Sequence, residues 1–280
     1  MLKRILTALV LLPIVGLCIW FNNAPLPLFA ILLTVACELG LKEFYDISEM
    51  LGHKPNRVIG HVSVALLIFS YYYTVVMVNW FSHYSNAFMV SFILMAVIAA
   101  VTICWMLRSN DLKEGLNSCA WTLFGIIYMG LLPSFFVYLG AVEQGAYLLI
   151  FAMVNVFAID IFSFFVGVPL GRHHFAPRLS PKKTVEGLIG GFAGLIGVSI
   201  LLNHILGLEY AIWQILIYCM FLFPAAVFGD LVESFLKRAA DLKDSSHLLP
   251  GHGGMLDRLD SLVMAGMITF VWMAIISNHF

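Results

Sequence analysis

The sequence predicts an all-α, polytopic integral membrane protein with about nine transmembrane helices. Three observations carry that prediction. The 280 residues are 61% hydrophobic and 11% charged, with a mean hydropathy of +0.96, whereas soluble domains are roughly 25% charged. Long apolar runs recur along the whole chain. The Lys and Arg residues, finally, fall in alternate connections between those runs.

Apolar stretches long enough to cross a bilayer run over 5–21, 26–45, 60–81, 87–107, 119–140, 146–168, 187–206, 211–230 and 260–278. The first has the basic flank and apolar body of a signal peptide. Asn22-Asn23-Ala24 is a poor cleavage site, however, and Leu17 before Cys18 does not suit lipoprotein processing, so a retained helix is expected. In the second stretch Glu38 has Lys42 at i+4, which predicts a helical ion pair. The sixth contains Asp160 about two turns from its inner end, and an acid at that depth is by default functional or paired with a nearby cation. In the seventh, Gly187 with Gly191 and Gly190 with Gly194 give the small-residue spacing of a close helix–helix seam. The eighth is expected to continue as a helix to about Asp244. That would place Asp230, Ser234, Lys237 and Asp241 on one stripe, with Glu233 and Asp244 on its flank.

The basic residues fix an expected topology. Lys3 and Arg4 lie at the amino end; Lys42, Lys54 and Arg57, then Arg108 and Lys113, then Arg172, Arg178, Lys182 and Lys183, then Lys237, Arg238, Lys243 and Arg258 occupy the even-numbered connections. The odd connections, around Asn22, His83, Glu143 and Glu209, contain none. The positive-inside rule then puts the amino terminus and the basic loops in the cytoplasm and the carboxyl terminus outside. The chain reads as a single integral membrane domain, 1–280, with cytoplasmic loops 169–186 and 231–260. A net charge of −1 provides no field for nucleic acid. Cys18, Cys37, Cys104, Cys119 and Cys219 form no CxxC pair and read as small hydrophobes. P-loop, GxGxxG, HExxH and GxSxG motifs are absent.

Polar chemistry gathers between Asp230 and Asp260, which hold Asp230, Glu233, Lys237, Arg238, Asp241, Lys243, Asp244, Asp257, Arg258 and Asp260. Pro250-Gly251 predicts a turn, and Gly253-Gly254 would let the backbone approach a ligand closely. Asp257 and Asp260 sit where the last span opens, a position that also suits the helix dipole. Asp230 lies one helix away at similar depth. Carboxylates on neighbouring helices beside Lys237, Arg238 and Arg258 suit a magnesium polyphosphate: hard oxygens take the metal and cations take the phosphates. Asp230 and Asp257 are the expected metal-linked pair, with Asp260 next. A second loop, Gly171-Arg172-His173-His174 followed by Ser180-Pro181-Lys182-Lys183-Thr184, offers donors for an anion, although topology alone also favours basic residues there. His173 and His174 are expected to be a solvated pair.

The string from Ser234 through Lys237-Arg238 and Lys243-Asp244 to Pro250-Gly251-His252-Gly253-Gly254-Met255-Leu256-Asp257-Arg258-Leu259-Asp260 resembles the signature of the phosphatidate cytidylyltransferases. Asp160 and the Ser180-to-Gly187 stretch are similar to that family as well. The resemblance implies that CTP and phosphatidic acid give CDP-diacylglycerol and pyrophosphate, with Mg2+; the sequence does not say whether a second, monovalent cation sits beside it. Asp230, Asp257, Lys237 and Arg238 would be catalytic. Ser234, Lys243, Asp244, His252, Gly253, Gly254, Arg258, Asp260 and Asp160 would hold substrate, with Ser180, Lys182 and Lys183 on a phosphate from the other loop. Hydrogen bonding to phosphate is the role expected of His252, since a phosphate monoester is largely ionised near neutral pH. The expected partners are CTP, phosphatidic acid, the bilayer of a bacterial inner membrane and a second copy of the chain. Two alternatives are a CTP-dependent polyprenol or lipid-alcohol kinase and an ion-coupled transporter using Asp160 and Glu38.

Overall fold

The computed structural model describes residues 2–21, 27–72, 84–142 and 144–276. Asn22 to Ala24, His83, Glu143 and the end of the ninth predicted stretch lie outside them. The described helices are α1 (Leu2–Trp20), α2 (Leu28–Met50), α3 (Arg57–Tyr72), α4 (Tyr84–Met106), α5 (Leu112–Ile126), α6 (Leu132–Ala141), α7 (Gly145–Leu170), α8 (Val185–Ile205), α9 (Ile212–Ala239), α10 (Leu256–Leu259) and α11 (Ala265–Ile276). A π-helical turn, Ile127–Leu131, joins α5 to α6. Each of the nine predicted stretches overlaps a described helix. Four helical units are long and apolar enough to cross a membrane: Leu112–Ala141, Gly145–Leu170, Val185–Ile205 and Ile212–Ala239.

The described residues are mostly helical, as the all-α reading expects, with one short antiparallel hairpin of β1 (His174–Ala176) and β2 (Ser180–Thr184). The course of the eighth span is corrected. The eighth helix stops at Ala239, short of Asp244. Asp241 adopts φ of 56°, and the amides of Leu242 and Asp241 return to the carbonyls of Lys237 and Arg238 at 2.8 and 3.2 Å. That is a Schellman ending with aspartate where glycine is usual. Only Asp230, Glu233, Ser234 and Lys237 of the predicted polar face therefore remain helical.

The core is built from α2, α6, α7, α9 and α11. Phe270 of α11 packs against Phe135 and Tyr138 of α6 with centroids 5.4 and 4.6 Å apart. Trp272 stacks near Phe151 and Tyr218 and donates to the Gln214 carbonyl at 2.9 Å. Pro133 has no N–H to continue the α-helical ladder, and the turn before it widens to π, with the Leu132 amide reaching Ile127. This wide turn directs Tyr128 toward α9, where its hydroxyl donates to the Gly229 carbonyl at 3.0 Å. Glu38 pairs with His61 of α3, not with Lys42 as expected; the packing of α2 on α3 brings the imidazole opposite the carboxylate, while Lys42 stays exposed.

The glycine seam on α8 holds. A Cβ on Gly191 would lie 2.1 Å from Ser163 Oγ and 2.9 Å from the Ile159 carbonyl of α7, whereas one on Gly197 would meet nothing within 4 Å. Gly191→Ala is expected to destabilise the protein by about 1–3 kcal/mol through overpacking. Gly197→Ala is expected to be neutral or slightly stabilising. Thermal unfolding of the two variants in one detergent checks the contrast.

Candidate active site

The candidate site forms where the carboxyl-terminal halves of α7 and α9, the β1–β2 hairpin and the loop 240–255 meet. Thr184 caps α8 by accepting from the Gly187 amide at 3.1 Å. Glu186, in the first turn of α8, takes the Arg172 and His173 amides at 3.0 and 3.2 Å and His173 Nδ1 at 2.6 Å. The hairpin is thus tied to the start of α8, and His173 is engaged there while still exposed. This register presents Lys183 to α9, where its ammonium lies 2.5 Å from Asp230 Oδ2. Ser234 donates to Asp230 Oδ1 at 3.2 Å.

Gly229 decides what stands next to Asp230. A side chain there would come within 2.3 Å of the Asp260 carbonyl. Without one, the turn after α10 lies directly on α9. Asp160, Asp230 and Asp260 consequently act on one another electrostatically, with Arg258 offsetting the charge. Ile159, Asp160, Ser163, Lys182, Lys183 and Asp230 line a cavity of about 180 Å³. The Ser163 hydroxyl in its wall is buried and without a partner among the described residues.

Two turns beyond Asp230 along α9, Lys237 bridges two acids. Its Nζ is 2.6 Å from Glu233 Oε2 and 2.6 Å from Asp257 Oδ1, and both carboxylates are buried. Asp257 Oδ2 also accepts from the Ser245 amide and hydroxyl at 2.9 Å each and from the Gly254 amide at 2.8 Å. The glycines serve this arrangement: a Cβ on Gly254 would fall 2.1 Å from Ser245 Oγ, and one on Gly253, at φ +79°, would fall 2.6 Å from Asp257 Oδ2. The close approach foreseen for this turn is therefore made by the protein's own carboxylates. Lys243, Asp244, His247, His252, Gly253 and Arg258 line a second, more polar cavity of about 540 Å³. His252 Nδ1 is buried there without a partner among the described residues. Arg238 donates to the carbonyls of Leu179 and Leu242 at 3.3 and 2.9 Å, joining the hairpin to the end of α9.

Asp257 carries a pH signature. Burial alone would raise its carboxyl, but a hydrogen bond shared with the Glu233 carboxyl and those from Lys237 and the Gly254 and Ser245 amides outweigh it and hold the group well below the usual carboxylate range. A depressed native value stabilises the fold at all pH above the unfolded value of about 3.9, and that stability fades as pH falls toward the native value. The midpoint difference between the unaltered protein and Asp257→Asn is expected to hold steady from neutral pH to about pH 4.5 and to shrink below it. Thermal scans across that range test this.

Sequence-predicted residues thus fall into two adjoining groups. Asp160, Lys182, Lys183, Asp230 and Ser234 gather at the smaller cavity; Lys237, Lys243, Asp244, His252, Gly253, Gly254, Asp257 and Arg258 gather at or beside the larger. Asp260 stands at their junction. Ser180, in β2, sits on the hairpin and does not line either cavity. Glu43, Ser163, Glu233 and Ser245 were not singled out as site residues. Glu43 had a signal: it shares a stripe of α2 with Gly40 and Ile47, an apolar setting for a carboxylate.

A sequence profile described as the cytidylyltransferase family matches residues 2–276. The chain belongs to this family. The phosphatidate cytidylyltransferase of Brucella abortus biovar 1 (strain 9-941) is 30% identical over 283 residues, covering 98% of this chain and 94% of that protein. The phosphatidate cytidylyltransferase of Bacillus subtilis (strain 168) is 36% identical over 152 residues, 54% of this chain and 56% of the relative. Phosphatidate cytidylyltransferase 4, chloroplastic, of Arabidopsis thaliana is 36% identical over 173 residues, 53% of this chain and 44% of the relative. Against these last two, the chain spans about half of the relative's length. Within the family assignment, both groups of polar residues described above fall inside the matched range.

Proposed function

We propose that the chain transfers the cytidylyl group of CTP to phosphatidic acid, giving CDP-diacylglycerol and pyrophosphate. The observation that carries this reading is that α9 anchors two lysine–aspartate pairs, Lys183–Asp230 and Lys237–Asp257, while Arg258 of the polar cavity acts electrostatically on Asp160 of the apolar-walled one. A phosphatidate headgroup with its glycerol backbone suits the first, whose walls include Ile159, Phe164, Leu188 and Val227. A nucleotide suits the second, where Lys243, Arg258 and the unpartnered His252 Nδ1 offer donors.

The reaction needs no protein nucleophile. A phosphatidate oxygen attacks the α-phosphorus of CTP, a new P–O bond forms, and the bond to the β-phosphate breaks to release pyrophosphate. Lys182 and Lys183 counter the repulsion between the two polyanions, and Lys237 and Arg258 face the triphosphate side. Holding the two phosphates in one geometry supplies much of the remaining acceleration.

Among the described residues no three His, Cys, Asp or Glu side chains stand in metal-holding geometry. The donor chemistry nevertheless fits Mg2+, which commonly takes one or two carboxylates and completes its shell with waters and substrate phosphates. Asp230 and Asp257 would hold it, since each now faces a lysine ammonium that a cation could replace. Bound Mg2+ would neutralise charge on the transferring phosphates.

We further read the nine apolar stretches as spans, with both loops on the cytoplasmic face of a bacterial inner membrane, from the alternation of Lys and Arg. A homodimer is a separate proposal, checked by the mass of the solubilised particle. CTP labelled at the α-phosphorus tests the activity: label is expected in lipid with one pyrophosphate per lipid product. Label transferred only from γ-labelled CTP, with CDP released, would establish the lipid-kinase alternative instead.

A further inference from the structure

Glu43 of α2 is 5% exposed, and among the described residues it joins no ion pair. Its two oxygens are filled from one segment more than 200 positions away in sequence. Oε1 accepts from Ser246 Oγ at 2.6 Å and the Met255 amide at 3.0 Å; Oε2 accepts from Ser245 Oγ and the Leu256 amide, each at 2.8 Å. Those donors stand at the two ends of the loop 245–256. Between them lie His247, Leu249 and the Pro250-to-Gly253 turn that wall the larger cavity. A Cβ on Gly254 would lie 2.3 Å from Glu43 Oε2, so the turn is shaped to admit this carboxylate.

The Ser245 hydroxyl links the clamp to the reacting centre. It is 2.8 Å from Glu43 Oε2 and 2.9 Å from Asp257 Oδ2, and its single proton serves one carboxylate at a time. Its amide fixes it to Asp257, which in turn holds Lys237. We infer that Glu43 is a positioning residue: it clamps both ends of the loop 245–256 and thereby sets the shape of the cavity that receives the nucleotide. This rests on the proposed cytidylyl transfer for its choice of substrate, but the clamp itself can be read without turnover.

A carboxylate buried only to complete the fold would, when altered, change stability without favouring one substrate. Glu43→Gln keeps the shape and one acceptor, but turns the other oxygen into a donor facing two donors. Ser246→Ala removes one of the four hydrogen bonds and leaves the charge satisfied by three. Both variants are made in the full chain in lipid nanodiscs. For Glu43→Gln the KM for CTP is expected to rise about tenfold, with the KM for phosphatidate within about twofold. Ser246→Ala should shift the CTP value in the same direction by less. Hydrogen exchange at 249–256 should accelerate in both, while amides of the α7–α8 seam stay unchanged.

Unchanged exchange in that loop overturns the inference, as do KM values for the two substrates that move together or not at all. If the unaltered protein makes no CDP-diacylglycerol, the proposed function fails and the exchange measurement alone decides the role of Glu43. If Glu43→Gln does not accumulate folded, Ser246→Ala decides it by the same two readings.

Discussion

Asp257→Asn is expected to lower CDP-diacylglycerol formation by at least about 10²-fold and to destabilise the protein by about 3–5 kcal/mol, because it breaks a buried ion pair from one side. The asparagine would still fill the space. Its amide nitrogen, however, must face either the Lys237 ammonium or the donors of Ser245 and Gly254, all of which now point at carboxylate oxygens. Lys237 would keep only Glu233, and the turn 245–254 would lose the acceptor that gathers it. Both losses follow from burial: water cannot easily replace what the carboxylate supplied. Initial rates with α-labelled CTP and a thermal midpoint in the same detergent measure the two effects.

Asp230→Asn separates activity from stability. Activity is expected to fall by at least about 10²-fold, since this carboxylate holds Lys183 and is the proposed metal ligand. Stability should change by less than about 1 kcal/mol. The Lys183 and Asp230 side chains are 23% and 20% exposed, so a released ammonium can reach water in the adjoining cavity. Equal destabilisation by Asp230→Asn and Asp257→Asn would mean that the lysine–aspartate pairs are alike structural supports. A near-normal rate for Asp230→Asn would remove it from the chemistry. The contrast between the variants is therefore more informative than either loss alone.

The helices were legible in the sequence because apolar length is a local property, and each predicted stretch overlaps a helix. The polar run from Asp230 to Asp260 stood out against that background, as did the glycine seam of α8, since small-residue spacing reports a close contact directly. What escaped was decided by partners distant in the chain. Glu43 was not singled out, since its one signal was an apolar stripe of α2, and only the fold shows it receiving Ser245, Ser246, Met255 and Leu256. Glu38 had a satisfactory local partner in Lys42, yet α3 brings His61 closer. The hairpin at 174–184 carries Pro181 and two adjacent lysines, which give no alternating pattern, so its strands could not be read from periodicity. The Schellman ending at Asp241 was hidden for a similar reason: it puts aspartate where glycine would have announced the stop.

The central claim is that strand β2, Ser180–Thr184, and the Asp230-to-Asp260 segment form one polyphosphate site joined by metal. A crystal of the full chain soaked with Mn2+ and a non-hydrolysable CTP analogue measures this directly through the anomalous signal of manganese. The account predicts a peak coordinated by Asp230 and Asp257 together with nucleotide phosphate, and nucleotide density against Lys243, His252 and Arg258. A peak away from both aspartates, or nucleotide bound outside the larger cavity, would contradict it.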